Sequence, residues 1–314
     1  MEPDNYSTKA REILASISEV VECNLSRDSL VNSISEYDVL ITRLKHSVDA
    51  KILENGRQLK AIVTATTGLD HIDLKYAQDK GITILSLKDE NEFLQTIPAT
   101  AEHTWALILS LIRKIPQAYN CVCNGEWNRD LFRGNELKNK NLGIVGYGRV
   151  GKQIKNYALA FDMNVHVYDP KVYQLPDEVI SYQKLGDMLS SVDIVTLHLP
   201  LNKDTYGIIG HEEIDICSTG TYLINTSRGD LIDTDSLLRA LQIGHLSGAA
   251  LDVIPKERDK ISSRKKALVE YANKHDNLIL TPHLGGATIE SMEKTEIFMA
   301  KKLVTWAENG MFIK

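Results

Sequence analysis

The stretch Asn141-Leu142-Gly143-Ile144-Val145-Gly146-Tyr147-Gly148-Arg149-Val150-Gly151 decides how the rest of the sequence is read. An apolar run of strand length meets a G-x-G-x-x-G spacing, and the residues that follow, through Ile154 and Ala160, carry a helical period. The three glycines have separate duties: Gly146 allows a tight turn, Gly148 lets a pyrophosphate approach the backbone, and Gly151 lets the helix lie close to the strand. The helix N-terminus adds unpaired N–H groups and the positive end of a dipole, which together favour an anion. The next apolar run ends in Val167-Tyr168-Asp169, with Asp169 18 residues beyond Gly151. A carboxylate there accepts hydrogen bonds from the adenosine ribose hydroxyls and repels a 2′-phosphate, so NAD is the expected dinucleotide. Three loop glycines and a surface acid are the plain alternative for the motif taken alone.

Outward from this motif, short apolar runs rich in β-branched residues alternate with helical segments, which predicts parallel sheets joined by βαβ crossovers and an α/β fold class. Downstream, strands are expected at 142–145, 165–168, 194–198, 222–225, 248–253 and 278–281, six strands that suit a Rossmann sheet. Upstream, strands are expected at 20–24, 39–42, 61–65 and 83–86, with helices at 6–18, 48–55 and 70–80, the last ended by Gly81 as a C-cap glycine. Between the two series, residues 98–118 read as one helix that is apolar nearly all round, which must be buried between domains or against a second subunit. A comparable helix at 289–308 closes the chain, and the polar stretch 256–266 reads as a solvated loop or helix start.

A length of 314 residues favours two domains, since single cores stop growing near roughly 250 residues. No window approaches the roughly 20 apolar residues of a membrane helix, and the opening Met1-Glu2-Pro3-Asp4-Asn5 lacks the basic and apolar parts of a secretory signal. A cytoplasmic location without a membrane partner is therefore expected. Cys23, Cys121, Cys123 and Cys217 form neither a C-x-x-C motif nor a zinc pattern, so they read as reduced thiols and no metal site is expected. A net charge of -6 without long charge runs gives no basic face for a phosphate backbone, so nucleic-acid binding is not expected.

The order of motifs resembles the D-isomer-specific 2-hydroxyacid dehydrogenases over nearly the whole chain. The resemblance is carried by Thr67-Gly68-Leu69-Asp70-His71-Ile72-Asp73-Leu74, Thr100-Ala101-Glu102-His103-Thr104, Gly125-Glu126-Trp127 and His198-Leu199-Pro200-Leu201. It continues through Asn225-Thr226-Ser227-Arg228-Gly229, Ala249-Ala250-Leu251-Asp252-Val253 and Thr281-Pro282-His283-Leu284-Gly285-Gly286. It implies a Rossmann doubly wound parallel sheet, residues 98–290, inserted into a smaller flavodoxin-like α/β substrate domain formed by 1–97 and 291–314. The Gly285-Gly286-Ala287-Thr288 ending and Arg43 in an early loop are similar to the 3-phosphoglycerate dehydrogenase branch, which uses an arginine near that place to hold a distal anion.

The implied chemistry is hydride transfer between NAD(H) and a small D-2-hydroxy acid, and the matched positions supply the groups it needs. Arg228 can anchor the substrate carboxylate and polarise its carbonyl with a planar fork of donors. His283 is the candidate proton donor to the carbonyl oxygen, and the base in the oxidation direction. Glu257, five residues past Asp252, is expected to orient the imidazole and stabilise its charged form. Backbone N–H groups at Thr67 and Gly68 are expected to receive the substrate carboxylate, and Arg43 a second anionic group. Cofactor contacts are implied for Thr104, Gly146, Tyr147, Gly148, Arg149, Val150, Gly151, Asp169, His198, Pro200, Thr205, Thr226, Ser227, Arg228, Asp252, His283 and Gly285, with Asp252 facing the nicotinamide carboxamide and His198 shaping the pocket.

Each residue alone has a bland reading: Arg228 or Arg43 as a surface cation, Asp252 as a turn residue, Glu257 as part of a solvated charge run. Two departures from the family stand out. A charged insert, residues 258–277, lies between Glu257 and His283, and nothing apolar precedes Glu2-Pro3, which leaves open a first sheet lacking one strand or a sequence that begins late. The chain ends at Lys314, so the regulatory extension of longer 3-phosphoglycerate dehydrogenases is not expected. The substrate is expected in a cleft between the domains, and a homodimer is expected through residues 98–118. Two other readings stay open: an NAD-responsive corepressor-like binding protein on the same fold, and a sibling oxidoreductase acting on formate or phosphite.

Overall fold

The computed structural model describes residues 1, 6–172, 174–257 and 262–311; the Glu2-Pro3 opening and residues 258–261 of the charged insert lie outside the described residues. The chain forms two compact units, one of residues 1–97 with 287–314 and one of residues 98–286.

In the first unit, α1 (Thr8–Ala15) and α2 (Arg27–Ser33) precede β1 (Val39–Thr42), α3 (Ala50–Asn55), β2 (Ala61–Thr64), α4 (Leu74–Asp79), β3 (Thr83–Leu85) and α5 (Asn91–Gln95). The helix starts follow local chemistry: Ser7, Asp49 and Asp73 each accept a backbone N–H of the first turn of α1, α3 and α4. The sheet is parallel in the order β1-β2-β3, with Val39 opposite Ala61 and Ile62 opposite Ile84. The expected strand at 20–24 is not in this sheet; there Cys23 N–H donates to Met1 O at 3.1 Å and the Met1 amino group to Val21 O at 2.9 Å. Residues 2–5, which continue the chain from Met1, lie outside the described residues.

The second unit opens with α6 (Ala99–Ile112) and α7 (Ile115–Cys123), where a single helix over 98–118 was expected. Lys114 takes φ 54° and ends α6, because Pro116 has no N–H to give Ile112 O and its ring would clash with that carbonyl if the helix ran on, whereas in the first turn of α7 neither cost arises. The remaining elements are β4 (Asn141–Val145), α8 (Arg149–Ala160), β5 (Asn164–Tyr168), β6 (Val179–Tyr182), α9 (Leu185–Leu189), β7 (Ile194–Leu197), α10 (His211–Ile216), β8 (Thr221–Asn225), α11 (Thr234–Gln242), β9 (Leu246–Leu251), α12 (Ser263–Ala272) and β10 (Leu278–Leu280). They build a seven-stranded parallel sheet, β10-β9-β8-β7-β4-β5-β6. The strand beyond the expected six, β6, is an edge strand with exposed Ile180 and Ser181, so it lacks the buried apolar run that marks its neighbours. The order reverses between β4 and β7, the switch point where open α/β sheets bind ligands.

The apolar circumference of α6 is consumed inside its own unit. Trp105 meets Tyr157 and Phe161 on or beside α8, with ring centroids 6.0 and 5.1 Å apart, while Ile108 and Leu111 join the core of β4, β5 and β8. The helix therefore needs no second chain to cover it, contrary to the reading of its sequence. Finally α13 (Ile289–Trp306) returns to the first unit, where Met299, Ala300 and Leu303 pack with Ala10, Leu14 and Val63. No helix among the described residues is long and apolar enough to cross a membrane.

Candidate active site

The glycine turn lies between β4 and α8. Gly146 has φ 95°, a backbone conformation that side chains rarely adopt, and a Cβ there would fall 2.6 Å from His198 O at the end of β7. A Cβ at Gly151 would fall 2.3 Å from Gly146 O, so helix and turn can be this close only without a side chain. Gly148 is different: a Cβ there would meet no protein atom within 4 Å. Packing does not demand glycine at that position, but a bare backbone keeps open the space at the α8 N-terminus, where a pyrophosphate would be received. Arg149 and Val150 open the helix, and burial pulls the Arg149 guanidinium below its ordinary value.

Asp169, just past β5, is fixed by the turn it serves, since Tyr147 N–H donates to Oδ2 at 2.8 Å and Lys171 N–H to Oδ1 at 2.9 Å. Each oxygen keeps a lone pair for a ribose hydroxyl. His198, after β7, has its ring Nε2 3.0 Å from Thr196 Oγ1. Loss of water around the ring, reinforced by Arg149, pushes its pKa down to about 3, so this histidine is neutral near pH 7 and unsuited to donating a proton. In the same rim, the Thr205 hydroxyl donates to Pro200 O at 2.6 Å, and the Thr104 and Thr226 hydroxyls meet at 2.7 Å. The residues thus fit a dinucleotide along the carboxyl ends of β4, β5 and β7.

Arg228 follows β8 in a loop tied at both ends. Ser227 Oγ donates to Leu197 O at 2.6 Å, Asn225 Nδ2 donates to Arg228 O at 2.8 Å, and the guanidinium donates to Ser227 O at 2.7 Å. The next residue, Gly229, presses on the loop after β9: a Cβ there would lie 2.0 Å from the carbonyl carbon of Ile254 and 2.3 Å from Pro255 N. That contact fixes the Arg228 loop against the loop that carries Glu257. Glu257 Oε1 lies 2.7 Å from His283 Nδ1, both side chains 28% exposed, so the pair is reachable from solvent yet well paired.

His283 stands after β10 with φ 57°, a left-handed backbone that costs a non-glycine residue and has to be held by its surroundings. Asp252 holds it. Its carbonyl accepts His283 N–H at 2.9 Å, and its carboxylate, 1% exposed, accepts from Leu284 N and Gly285 N at 2.8 Å each and from Thr281 Oγ1 at 2.5 Å. His103 Nε2, from α6, lies 3.1 Å from the same carboxylate. Burial pushes the Asp252 carboxyl up, but the bonds from His103, Thr281, Leu284 and Gly285 outweigh it and hold the group below its ordinary value. The sequence reading assigns Asp252 to the nicotinamide carboxamide; the structure surrounds its carboxylate with donors of its own unit. His103 and Thr281 were legible only as motif members, and no spacing rule connects them to Asp252.

In the first unit, the loop after β2 that carries Thr67 and Gly68 is closed by Thr66 Oγ1 donating to Gly68 O at 2.8 Å, and Thr64 Oγ1 stands 3.2 Å from His71 Nε2. Arg43, after β1, lies at the same carboxyl edge of the sheet. Its guanidinium is bonded to Glu296 of α13 and lies over the Tyr6 ring, 5.4 Å from the centroid. Nothing in the sequence around Arg43 points to Glu296 as its partner, although Glu296 falls on the helix face of Ser291, Thr295 and Met299, which is otherwise the buried one.

The model of the D-isomer specific 2-hydroxyacid dehydrogenase NAD-binding domain matches residues 105–285. The chain is 34% identical to the hydroxypyruvate reductase of Thermotoga maritima over 285 residues, 91% of this chain and 90% of that one. It is 35% identical over 291 residues, 92% of this chain, to the D-3-phosphoglycerate dehydrogenase of Archaeoglobus fulgidus, but covers 53% of that protein. The crystal structure of D-lactate dehydrogenase from Aquifex aeolicus, complexed with NAD and lactic acid, superposes with a TM-score of 0.81 at 30% identity, covering 95% of this chain and 91% of that one. The chain belongs to the D-isomer specific 2-hydroxyacid dehydrogenase family, and its second unit carries that family's NAD-binding domain. It spans about half the length of the D-3-phosphoglycerate dehydrogenases it matches.

Proposed function

We propose that this chain interconverts a small D-2-hydroxy acid and its 2-oxo acid, using NAD(H). The observation that carries the reading is the His283–Glu257 pair at 2.7 Å, set beside an Arg228 loop that Gly229 packs against Ile254 and Pro255. A cation fork, a proton carrier and a carboxylate that orients it are what reduction of a 2-oxo acid requires. NADH, when bound, supplies the hydride that adds to carbon 2. Arg228 anchors the substrate carboxylate and polarises the carbonyl. The His283 imidazolium gives its Nε2 proton to the carbonyl oxygen as carbon 2 gains the hydride, and Glu257, on Nδ1, holds ring and tautomer in place. In oxidation the neutral ring takes the hydroxyl proton back. Asp252, with His103 and Thr281, acts through His283 as a positioning group. The test is a panel of 2-oxo acids with NADH followed by absorbance: turnover of at least one supports the reading, whereas tight NADH binding without loss of absorbance on any of them leaves a binding module on the same fold.

We also propose that the chain pairs with a second copy through the region that follows α6. Ile115, Tyr119, Val122, Trp127 and Leu131 are all exposed, with Trp127 at 88%, on α7 and the segment beyond it. A cluster of large apolar side chains on one stretch of surface is unusual for a monomer and suits an isologous contact.

A further inference from the structure

The second question about substrate, whether its tail carries a charge, turns on Arg43. Its side chain is 22% exposed, while the Glu296 carboxylate bonded to it is 3% exposed and accepts Ser7 N–H at 2.7 Å through its other oxygen. Removing either member of a buried ion pair leaves the other uncompensated in a poorly solvated place, and a carboxylate with one backbone donor cannot make up the loss. An anion approaching Arg43 therefore meets a neutral pair. To draw the guanidinium's charge it would have to compete with Glu296, which is 3% exposed within α13. Lys45, two residues on, is exposed and bonded to the Asn24 side chain, and His46 Nε2 lies 3.0 Å from Leu25 O, so both turn toward the segment before α2.

We infer that Glu296 is a specificity-determining residue: by holding Arg43 as its counter-ion it removes the cation that would receive a distal phosphate or carboxylate, and it selects 2-oxo acids with uncharged tails. The inference rests on the activity proposed above. It reverses what the isolated arginine suggests, because the charge of a guanidinium already neutralised by a buried glutamate attracts a substrate anion less.

The test is a double-mutant cycle of Arg43→Met, Glu296→Gln and the two combined, read by thermal unfolding and by turnover. Arg43→Met alone should lower Tm by about 6 °C or more, while in the Glu296→Gln background the same change should cost at most about 2 °C. Equal losses in the two backgrounds overturn the pairing. The unaltered chain should have a higher kcat/KM on hydroxypyruvate than on 3-phosphohydroxypyruvate, and Glu296→Gln should shift that ratio toward the phosphorylated substrate by about 10-fold or more, with hydroxypyruvate itself changed little. Preference of the unaltered chain for the phosphorylated substrate, or an unshifted ratio, overturns the inference. If no 2-oxo acid is turned over, the activity reading fails by itself. Thermal stabilisation by 3-phosphoglycerate then decides: an effect on Glu296→Gln and none on the unaltered chain supports the inference, and stabilisation of the unaltered chain overturns it.

Discussion

Asp252 and His283 are joined twice over: the Asp252 carbonyl takes the His283 N–H at 2.9 Å, and the Asp252 carboxylate takes the next two N–H groups, of Leu284 and Gly285, at 2.8 Å each. A left-handed histidine is thereby held by one ionised, buried side chain. Because the folded state holds this carboxyl below its ordinary value of 3.8, its contribution to stability is complete above that value and is lost as pH falls through the lower folded value. Asp252→Asn should destabilise the protein at pH 7 by about 1.5 to 3 kcal/mol and lower kcat by loosening His283. The Tm gap to the unaltered chain should close as pH drops below about 4. A gap of equal size at pH 3 and pH 7 would show that the charge is not what holds the loop.

Proton transfer should be separable from cofactor binding. His283→Gln keeps bulk and hydrogen bonding but has no proton to exchange, so kcat should fall roughly 100-fold to 10,000-fold. NADH affinity, measured by fluorescence titration, should stay within a few-fold. Near-normal kcat would require another acid, and His198, held neutral with a pKa of about 3, is poorly placed to be one.

Cofactor choice should follow Asp169. Its carboxylate, fixed by Tyr147 N–H and Lys171 N–H, would stand against the 2′-phosphate of NADP at close range. kcat/KM with NADH should exceed that with NADPH, and Asp169→Ala should narrow the ratio. Equal use of the two cofactors by the unaltered chain would remove the role given to this residue.

The exposed apolar stretch after α6 predicts the oligomer. Light scattering should give a dimer mass, and Val122→Glu with Trp127→Asp should shift it toward monomer without unfolding either unit, because both side chains are exposed in the single chain. A monomer at micromolar concentration before any substitution would reject the contact.

Much of the second unit was legible because its signals are local. A strand, a three-glycine turn and a helix are written in consecutive residues 141–151, and Asp169 follows at a spacing set by one helix and one strand. A signal that depends on a partner was misread: α6 reads as an interface helix until α8 and the sheet are seen to cover it. The break between α6 and α7 was available from Pro116, which cannot sit inside a continuous helix because it lacks the N–H for the bond four residues back.

The sequence by itself determined the α/β class, the cofactor turn and the order in which Arg228, Glu257 and His283 appear, since strand period, glycine geometry and motif order are properties of neighbouring residues. Only the tertiary structure decided what the charged side chains are for. Arg43 and Glu296 are 253 residues apart, and His103 reaches Asp252, just past β9, from α6. Such pairs are chosen by packing, because burying a carboxylate forces it to find whichever donor the fold brings within reach.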